Sequence, residues 1–244
     1  MPAPIPMPPP PLAVAPPQEA GIEGLLRRPP AGWGTGTGFF VDSRGTLLTA
    51  EHVVRGCGEV RVMSAHMRSE RARLVAVDAT QDVAVLEVPG LTSPAWLPVG
   101  APARGAVRLA ALGFPAGALP DTPNESWAAA ANSAFPQGTR WEADPQRVVW
   151  FRSAEITHGY SGGPLVDLGS GRVVGMVRGG IDHARVPSLD GVPTQGLGLG
   201  PGPGPMLAML SRWTVREGVV PAGMGMESAL DMTRRATVRV VCTK

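Results

Sequence analysis

The chain has 244 residues and a formal net charge of only +2 at pH 7, with 22 basic and 20 acidic side chains. This balance, without a local arginine cluster of the kind that binds phosphates, argues against a nucleic-acid or anionic-membrane function. No apolar run approaches the ~20 residues that a membrane-spanning helix needs, so no integral membrane segment is expected. The 32 glycines and 27 prolines favour an all-β fold with many turns.

The first part of the chain, residues 1–30, is rich in proline and has no apolar periodicity. Such a segment is expected to be a disordered or polyproline-like tail, which is either inert or binds a proline-recognising partner. It lacks the basic start and uninterrupted apolar core of a secretory signal.

Alternating and apolar runs bounded by turn residues predict short β-strands along the rest of the chain. The first two flank a turn at residues 42–45 in the run GTGTGFFVDSRGTLLTAEHVV. The other predicted strands lie at residues 60–63, 73–77, 83–88, 107–112, 148–156, 163–166 and 172–178. A joint rich in proline and glycine at 94–105 divides them into two series, and a short helix is expected at 206–213. This pattern indicates a barrel or sandwich.

The run HGYSGGPL at residues 158–165 is the strongest local signal for chemistry. A serine hydroxyl needs a base to remove its proton, and its attack on a carbonyl creates an oxyanion that needs N–H donors nearby. Glycines on both sides of Ser161 let the backbone turn N–H groups into the site and leave room for a substrate. Gly159 and Ser161 are therefore the expected oxyanion donors. Alone, the same run is also compatible with a glycine-rich surface turn.

A histidine and an aspartate are placed to activate this serine. His52 follows an apolar run at a predicted strand end, where its imidazole can act as a general base near neutral pH. Asp82 directly precedes the apolar strand VAVLEV and can accept a hydrogen bond from the imidazole, which fixes the ring's tautomer. Asp78 is expected to shape a turn instead.

With His52, Asp82 and Ser161 in this order, the chain resembles the chymotrypsin-like serine proteases, and among them the bacterial high-temperature-requirement (Deg) proteases. The matching segments are GTGFFVDSRGTLLTAEHVV, DATQDVAVLEV, LAALGFPAG and HGYSGGPLVDLGSGRVVGMV, within about residues 34–199. The resemblance implies an all-β fold of two packed six-stranded antiparallel β-barrels with the triad in the cleft between them. It also implies a polypeptide substrate, no metal or organic cofactor, and a location that leans to the bacterial periplasm or the exterior.

The expected organisation follows from this resemblance. It comprises a tail at residues 1–30, a first barrel with the histidine and aspartate at 31–103, a second barrel with the serine and a short terminal helix at 104–213, and a linker and strand at 214–244. The chain departs from the Deg pattern at Tyr160, where those proteases usually carry asparagine, and too little sequence follows the second barrel for a PDZ domain. Residues 117–148 match no family segment and could form a substrate-side loop.

Glu155 is a candidate for the primary specificity pocket. It lies six residues before the serine, a position that commonly forms the base of that pocket in this fold. An acid there would favour Arg or Lys in the substrate by charge pairing. The alternative is that Glu155 points away from the pocket or pairs with Arg178.

The last predicted strand has no partner nearby in the sequence. In the family a β-branched strand precedes the GTGF segment, but residues 21–32 (GIEGLLRRPPAG) contain adjacent prolines and are a poor strand. The run RATVRVVC at 235–242 has the missing alternation, so it could pair into the first barrel in a permuted arrangement. Otherwise it packs elsewhere or begins a further domain. If it pairs, Cys242 comes near Cys57, although the sequence leaves open whether these thiols are bonded.

The sequence therefore predicts a serine endopeptidase that works through an acyl-enzyme. Two other hypotheses stay open at this stage: a catalytically idle protease homologue that binds peptides in the cleft, and a structural β-domain with a proline-rich interaction tail.

Overall fold

β-Strands dominate the computed structural model, which describes residues 25–26, 34–101, 108–115, 123–212 and 225–244. In chain order the elements are β1 (Thr35–Phe40), β2 (Thr46–Thr49), α1 (Glu51–Val54), β3 (Glu59–Ser64), β4 (Met67–Asp78), β5 (Val83–Glu87), β6 (Arg108–Gly113), β7 (Asn124–Ala130), β8 (Val148–Arg152), β9 (Pro164–Asp167), β10 (Arg172–Met176), β11 (Gly179–Gly180), β12 (Ser188–Leu189), β13 (Val192–Pro193), β14 (Leu197–Pro201), α2 (Pro203–Ser211), α3 (Met226–Ala236) and β15 (Thr237–Thr243). Most of the predicted tail, part of the predicted joint and most of the predicted linker lie outside the described residues.

The first barrel is closed by hydrogen bonds in the order β1-β15-β3-β4-β5-β2. Its interior is filled by aromatic and branched side chains that exclude water, among them Phe39, Leu48, Val62, Val85 and Val240. The hairpin between β1 and β2 has the predicted turn. There the Asp42 carboxylate accepts the Arg44 and Thr46 amide hydrogens at 2.9 and 3.0 Å, as aspartate commonly does in turns.

The C-terminal strand β15 completes this barrel between β1 and β3. Val241 pairs with Thr35 of β1 and with Arg61 of β3, in both cases antiparallel. The Cys242 N–H donates to the Gly34 carbonyl at 2.6 Å, so β15 ends where β1 begins. This is the pairing that its alternating β-branched pattern predicts, and it fills the place of the strand that the family carries before GTGF.

A disulfide between Cys57 and Cys242 fastens β15 to the segment that follows α1. The two residues are 185 positions apart in the sequence, with their Cα atoms 5.4 Å apart. Cross-linking so long a loop restricts the unfolded chain strongly, by about 5 kcal/mol in the loop-entropy model. The bridge therefore stabilises the first barrel mainly by lowering the conformational entropy of the unfolded chain.

The second barrel is a seven-stranded sheet in the order β10-β9-β6-β7-β8-β14-β11. Its outer strands β10 and β11 are consecutive in the chain and are separated by Val177 and Arg178 alone. The Val177 amide donates to Gly163 beside β9, whereas the Arg178 amide donates to Leu199 of β14. The chain therefore passes from pairing near β9 to pairing with β14 at this point. The sheet curls into a barrel in which β10 and β11 do not pair with each other, so it is not the closed ring that the resemblance implied. The mostly-β, two-barrel fold itself is confirmed.

Two helices pack on the outside of the barrels. The predicted short helix is present as α2, but it begins earlier, at Pro203, because proline suits the first turn of a helix. Leu230 of α3 packs in a cluster with Ala110, Leu112 and Leu168 of the second barrel. Among the described residues, no helix is long and apolar enough to cross a membrane.

Leu25 and Leu26, which the sequence analysis placed in the tail, pack on the second barrel. Leu25 is only 8% exposed, and Leu26 forms an antiparallel bridge with Ile181. The leucines lie among prolines, so no apolar periodicity marked them in the sequence. Burial of their aliphatic side chains removes apolar surface from water, and this gain outweighs the entropy cost of ordering a short segment.

Candidate active site

His52 lies in α1, the single helical turn that follows β2. Glu51, Val53 and Val54 of this turn are buried and fix it on the barrel. Glu51 is also held by Arg55, whose Nε donates to both carboxylate oxygens at 3.0 and 3.1 Å. The His52 side chain is 35% exposed, so its ring is only partly covered by the protein.

Asp82 lies just before β5, after a turn that Asp78 shapes. The Asp78 carboxylate accepts the amide hydrogens of Thr80 and Gln81 at 3.0 Å each, as its predicted turn role requires. Asp82 has a left-handed backbone conformation, with φ of 57°, which costs a non-glycine residue about 1–2 kcal/mol. This conformation directs the Asp82 carboxylate towards α1 instead of towards solvent.

The Asp82 carboxylate binds both the ring and the backbone of His52. Its Oδ2 and Oδ1 lie 2.8 and 3.0 Å from His52 Nδ1, and Oδ1 also accepts the His52 backbone N–H at 3.0 Å. Only 2% of the Asp82 side chain is exposed, so these bonds form in a low-dielectric site that strengthens them. Because an ionised carboxylate only accepts hydrogen bonds, Nδ1 carries the proton and Nε2 is left as the free basic nitrogen.

Ser161 lies in a turn that glycine makes possible. Gly159 and Gly162 have φ of 100° and 85°, which favour glycine. A Cβ atom on Gly162 would lie 2.1 Å from the Thr37 carbonyl oxygen and 2.8 Å from the Ala50 nitrogen, so this turn presses directly against the first barrel. The glycine that follows the serine is therefore required by the close approach of the two barrels.

Gly36 of β1 brings the serine turn next to the histidine helix. A Cβ atom on Gly36 would meet a methyl carbon of Val53 at 2.6 Å and the Ser161 carbonyl oxygen at 2.9 Å. Val53 directly follows His52, so the Ser161 turn lies next to the helical turn that carries His52.

Thr37 holds the serine turn in place across the barrel interface. Its N–H donates to the Ser161 carbonyl at 2.8 Å, and its hydroxyl donates to the Gly159 carbonyl at 2.6 Å. The same hydroxyl accepts the Phe114 N–H at 3.0 Å. Sequence reasoning missed this role, although the residue lies between the two glycines of the GTG run, where both barrels meet.

The Ser161 hydroxyl is not bonded to His52 in this structure. It donates instead to the Arg178 backbone carbonyl at 3.0 Å, and no hydrogen bond joins the two side chains, both of which are described. The single hydroxyl proton of Ser161 is thus held by the Arg178 carbonyl. Catalytic hydrogen bonds are often unformed without substrate, and a serine rotamer changes within nanoseconds.

Arg178 is a second feature that the sequence did not reveal at this site. Its Nε lies 3.5 Å from Asp82 Oδ2, and only 14% of its side chain is exposed. Burial lowers the pKa of its guanidinium from the ordinary value. Arg178 therefore adds a buried positive charge to the carboxylate that orients His52. No sequence signal marks it, because it lies 96 positions from Asp82 in the chain.

Tyr160, which stands where Deg proteases usually carry asparagine, is a packing residue. It is 2% exposed, and a Cβ atom on Gly113 would lie 2.5 Å from its ring. Burial raises the pKa of Tyr160 to about 12, with smaller contributions from the charges of Glu155 and Glu125. The phenol is therefore uncharged near neutral pH. Its ring packs against Gly113 of β6 and so holds the serine turn against the second barrel.

A cleft of about 450 Å³ lies beside Asp82. The first barrel contributes Thr80 and Gln81 to its lining, and the second barrel contributes Arg147, Arg178 and neighbouring residues. The cleft is thus a space between the barrels that is bordered by charged groups, and Arg178, the neighbour of Asp82, is part of its lining.

Glu155 is exposed and does not line the small cavity next to the serine turn. The lining of that cavity is apolar or small and includes Phe151, Ser153, Ile156, Gly180 and Gly198. Its free volume of about 10 Å³ is room for roughly one water molecule. A Cβ atom on Gly198 would lie 2.5 Å from Phe151 Cζ, so this ring already fills the space.

Two curled antiparallel barrels, with a histidine, an aspartate and a serine brought together where they meet, define the chymotrypsin-like fold. The family model of the trypsin-like peptidase domain matches residues 36–176, more than half of the chain. The chain therefore belongs to the trypsin-like peptidase family.

Two of the relatives that the chain resembles are bacterial proteases. Serine protease Rv3671c of Mycobacterium tuberculosis is 36% identical over 154 residues, which cover 61% of this chain and 37% of that protein. A probable periplasmic serine endoprotease of the DegP-like kind from Pseudomonas fluorescens is 29% identical over 144 residues, covering 58% of this chain and 28% of that protein. The chain thus spans little more than a third of the length of the mycobacterial relative.

Solved structures show the same fold. The crystal structure of the Rv3671c protease in its active form is similar with a TM-score of 0.55 and 28% identity, covering 76% of this chain and 76% of that one. The HtrA-type protease AlgW, at 21% identity and a TM-score of 0.51, covers 80% of this chain and 51% of its own and supports the fold alone.

Proposed function

We propose that the chain is a serine endopeptidase that cleaves polypeptides through an acyl-enzyme, with His52, Asp82 and Ser161 as its catalytic triad. The observation that carries this proposal is the bond from His52 Nδ1 to the buried Asp82 carboxylate beside the Ser161 turn. This bond leaves Nε2 without a proton, so that it can accept the serine proton. The family and its relatives support the same reaction.

In the first step, Ser161 Oγ attacks the peptide carbonyl while His52 Nε2 takes its proton. The imidazolium, stabilised by Asp82, then gives this proton to the leaving amine and the acyl-enzyme forms. Water attacks the acyl-enzyme with the same histidine as base, which releases the second product. For this sequence to begin, the Ser161 hydroxyl rotates away from the Arg178 carbonyl and towards His52.

The oxyanion formed in each step is stabilised by the backbone amides of Gly159 and Ser161. Neither amide donates a hydrogen bond within the described parts of the chain, so both are available to a substrate oxygen. Preorganised donors of this kind contribute about 10²–10³-fold each in kcat.

A fluorophosphonate probe tests the proposal directly, because it phosphonylates only an activated serine. We expect stoichiometric labelling of the native chain at Ser161, identified by mass spectrometry of the labelled peptide. The Ser161→Ala and His52→Ala variants should not be labelled, whereas Ser211→Ala, at an exposed serine at the end of α2, should label normally. Labelling that persists in Ser161→Ala would rule out this nucleophile.

The small apolar cavity next to the serine turn indicates the primary specificity pocket. Because Phe151 fills it, we propose a preference for a small residue such as alanine before the scissile bond. We expect alanine peptides to be cleaved at least about tenfold faster in kcat/KM than arginine peptides. The Glu155→Ala variant should keep the same alanine-to-arginine ratio. Faster cleavage after arginine that is lost in Glu155→Ala would show that the carboxylate reaches the pocket after all.

A further inference from the structure

The two proposed oxyanion donors are held by different parts of the molecule. The Ser161 N–H belongs to the peptide that joins Tyr160 to Ser161, and the carbonyl of this peptide accepts the Gly163 N–H at 2.8 Å. That bond lies within the serine turn itself. The Gly159 N–H, in contrast, belongs to a glycine, whose two dihedral angles are intrinsically free. Its direction therefore depends on how the next peptide of the chain is fixed.

Thr37 fixes that next peptide, which joins Gly159 to Tyr160. The Thr37 hydroxyl donates to the Gly159 carbonyl at 2.6 Å. At the other end of the same peptide, the Tyr160 N–H donates to the Thr157 carbonyl at 3.3 Å, which is longer than the usual hydrogen bond. The short bond is the stronger of the two. A side chain of the first barrel is therefore the main restraint on this peptide of the second barrel.

The Thr37 hydroxyl is itself held in one direction. It accepts the Phe114 N–H at 3.0 Å, and its single proton goes to Gly159. The Thr37 backbone is fixed as well, because its N–H donates to the Ser161 carbonyl at 2.8 Å and its carbonyl accepts the Thr49 hydroxyl at 2.6 Å. Thr37 is fully buried, so no solvent competes for these bonds and the low dielectric strengthens them.

The end of β6 packs against the same peptide. A Cβ atom on Gly113 would lie 2.5 Å from the Tyr160 ring and 2.8 Å from the Tyr160 Cα atom. Phe114, the next residue of the chain, is the one that donates to the Thr37 hydroxyl. The peptide after Gly159 is therefore in contact with both barrels, and Thr37 links the three segments that meet there.

We propose that Thr37 is a positioning residue for the oxyanion hole, because its hydroxyl holds Gly159 with the N–H directed at the substrate oxygen. The inference rests on the proposed function, in which the tetrahedral intermediate uses this donor. Thr37 touches no reacting atom and acts through Gly159 alone. One donor of the oxyanion hole thus depends on contact between the barrels, whereas the Ser161 donor is held within its own turn.

Thr37→Val removes the hydroxyl and keeps the shape of the side chain. We expect kcat for an alanine peptide to fall about ten- to a hundredfold, because one oxyanion donor is misdirected. KM should stay within about twofold of the native value, since the lost interaction is made in the transition state. Thr37→Ser keeps the hydroxyl and should have a kcat within about threefold of the native one.

A peptidyl boronate separates positioning from a general loss of structure. Its tetrahedral adduct with Ser161 places an oxygen in the oxyanion hole, so its affinity for Thr37→Val should fall by about the same factor as kcat. The matching substrate peptide is titrated by fluorescence anisotropy into chains that also carry Ser161→Ala. Its affinity should be unchanged, because the donors fit the oxyanion rather than the planar carbonyl. A cleft damaged as a whole would lose affinity for both ligands.

The matched control is Thr237→Val, which makes the same exchange at another fully buried threonine of the first barrel. The Thr237 hydroxyl donates to the Thr233 carbonyl at 2.7 Å, so both variants lose a buried hydrogen bond. In Thr237→Val, kcat per folded molecule should stay within about twofold of the native value. Circular dichroism gives the folded fraction, and Thr37→Ala is measured with the same expectation should Thr37→Val not fold.

Nitrogen-15 relaxation measures the restraint without any catalysis. The order parameter of the Gly159 amide should be about 0.85 in the native chain and below about 0.6 in Thr37→Val, while the Ser161 amide stays rigid in both. An equally rigid Gly159 amide in Thr37→Val, or an unchanged kcat in that variant of an active enzyme, would overturn the inference. If neither the native chain nor Thr37→Ser cleaves peptides, the proposed function fails, and the order parameter still decides whether Thr37 restrains Gly159.

Discussion

Replacing Asp82 with asparagine should lower kcat for peptide cleavage by about 10⁴-fold, while the chain stays folded. The Asp82 carboxylate accepts from His52 Nδ1 at 2.8 Å, and this bond keeps Nε2 free of its proton. An asparagine can present its NH₂ group to Nδ1, which stabilises the other tautomer with the proton on Nε2. His52 would then be unable to take the serine proton, although its position would barely change. Initial rates with a quenched peptide, measured beside circular dichroism, give the result.

The control for this experiment lies four residues away. Asp78→Asn keeps an oxygen that can accept the Thr80 and Gln81 amide hydrogens, and within the part of the chain that the structure describes Asp78 makes no hydrogen bond to His52, Asp82 or Ser161. Its activity should stay within about twofold of the native rate, since exposed turn substitutions have small effects. Native-like turnover in Asp82→Asn would mean that another group orients His52, and the triad would have to be reassigned.

Because of Arg178, the Asp82→Asn substitution should also lower the stability of the fold. In the native chain its guanidinium lies 3.5 Å from Asp82 Oδ2 and is largely buried. Neutralising Asp82 leaves that buried charge without this counter-ion, which costs stability. A folded but less stable Asp82→Asn chain is therefore the expected outcome, and activity is to be compared well below its unfolding temperature.

The residues of the proposed triad could be identified from the sequence because each lies in a local pattern with its own chemical reason. His52 and Asp82 flank apolar strands, and Ser161 has glycines on both sides. Thr37 and Arg178 could not be found in this way. Their roles come from contacts between segments that are distant in the sequence, and neither has a local pattern that distinguishes it from an ordinary strand residue.

Glu155 shows the limit of inference by sequence position. Counting six residues back from the serine leads to the segment after β8, which borders the small cavity, but this segment is not a strand, so counting positions could not tell which of its side chains face the cavity. Ser153 and Ile156 line the cavity, and Glu155 is exposed.

The place of β15 could be predicted because its pattern and a gap in the first barrel are complementary. A closed barrel leaves no unpaired edge, and the segment before β1 could not supply a strand. Leu25 and Leu26 could not be predicted, because a pair of leucines among prolines has no periodicity. Their position depends on a pocket that is formed by residues more than a hundred positions later in the chain.

Val240→Asp should reduce the free energy of unfolding by about 4 kcal/mol or more. Val240 is fully buried in β15, so the substitution removes apolar contacts and places a carboxylate where it has no partner. Since β15 pairs with both β1 and β3, amide hydrogen exchange should accelerate in both strands, and proteolytic activity should fall with the folded fraction. Val77→Asp makes the same exchange at a β4 valine that is 51% exposed, and it should cost less than about 1 kcal/mol. Urea denaturation under oxidising conditions, with the Cys57–Cys242 bridge intact, measures both values. If the two variants were equally stable, β15 would not be an integral strand of the first barrel, because only a strand that closes the barrel makes the buried position so much more sensitive than the exposed one.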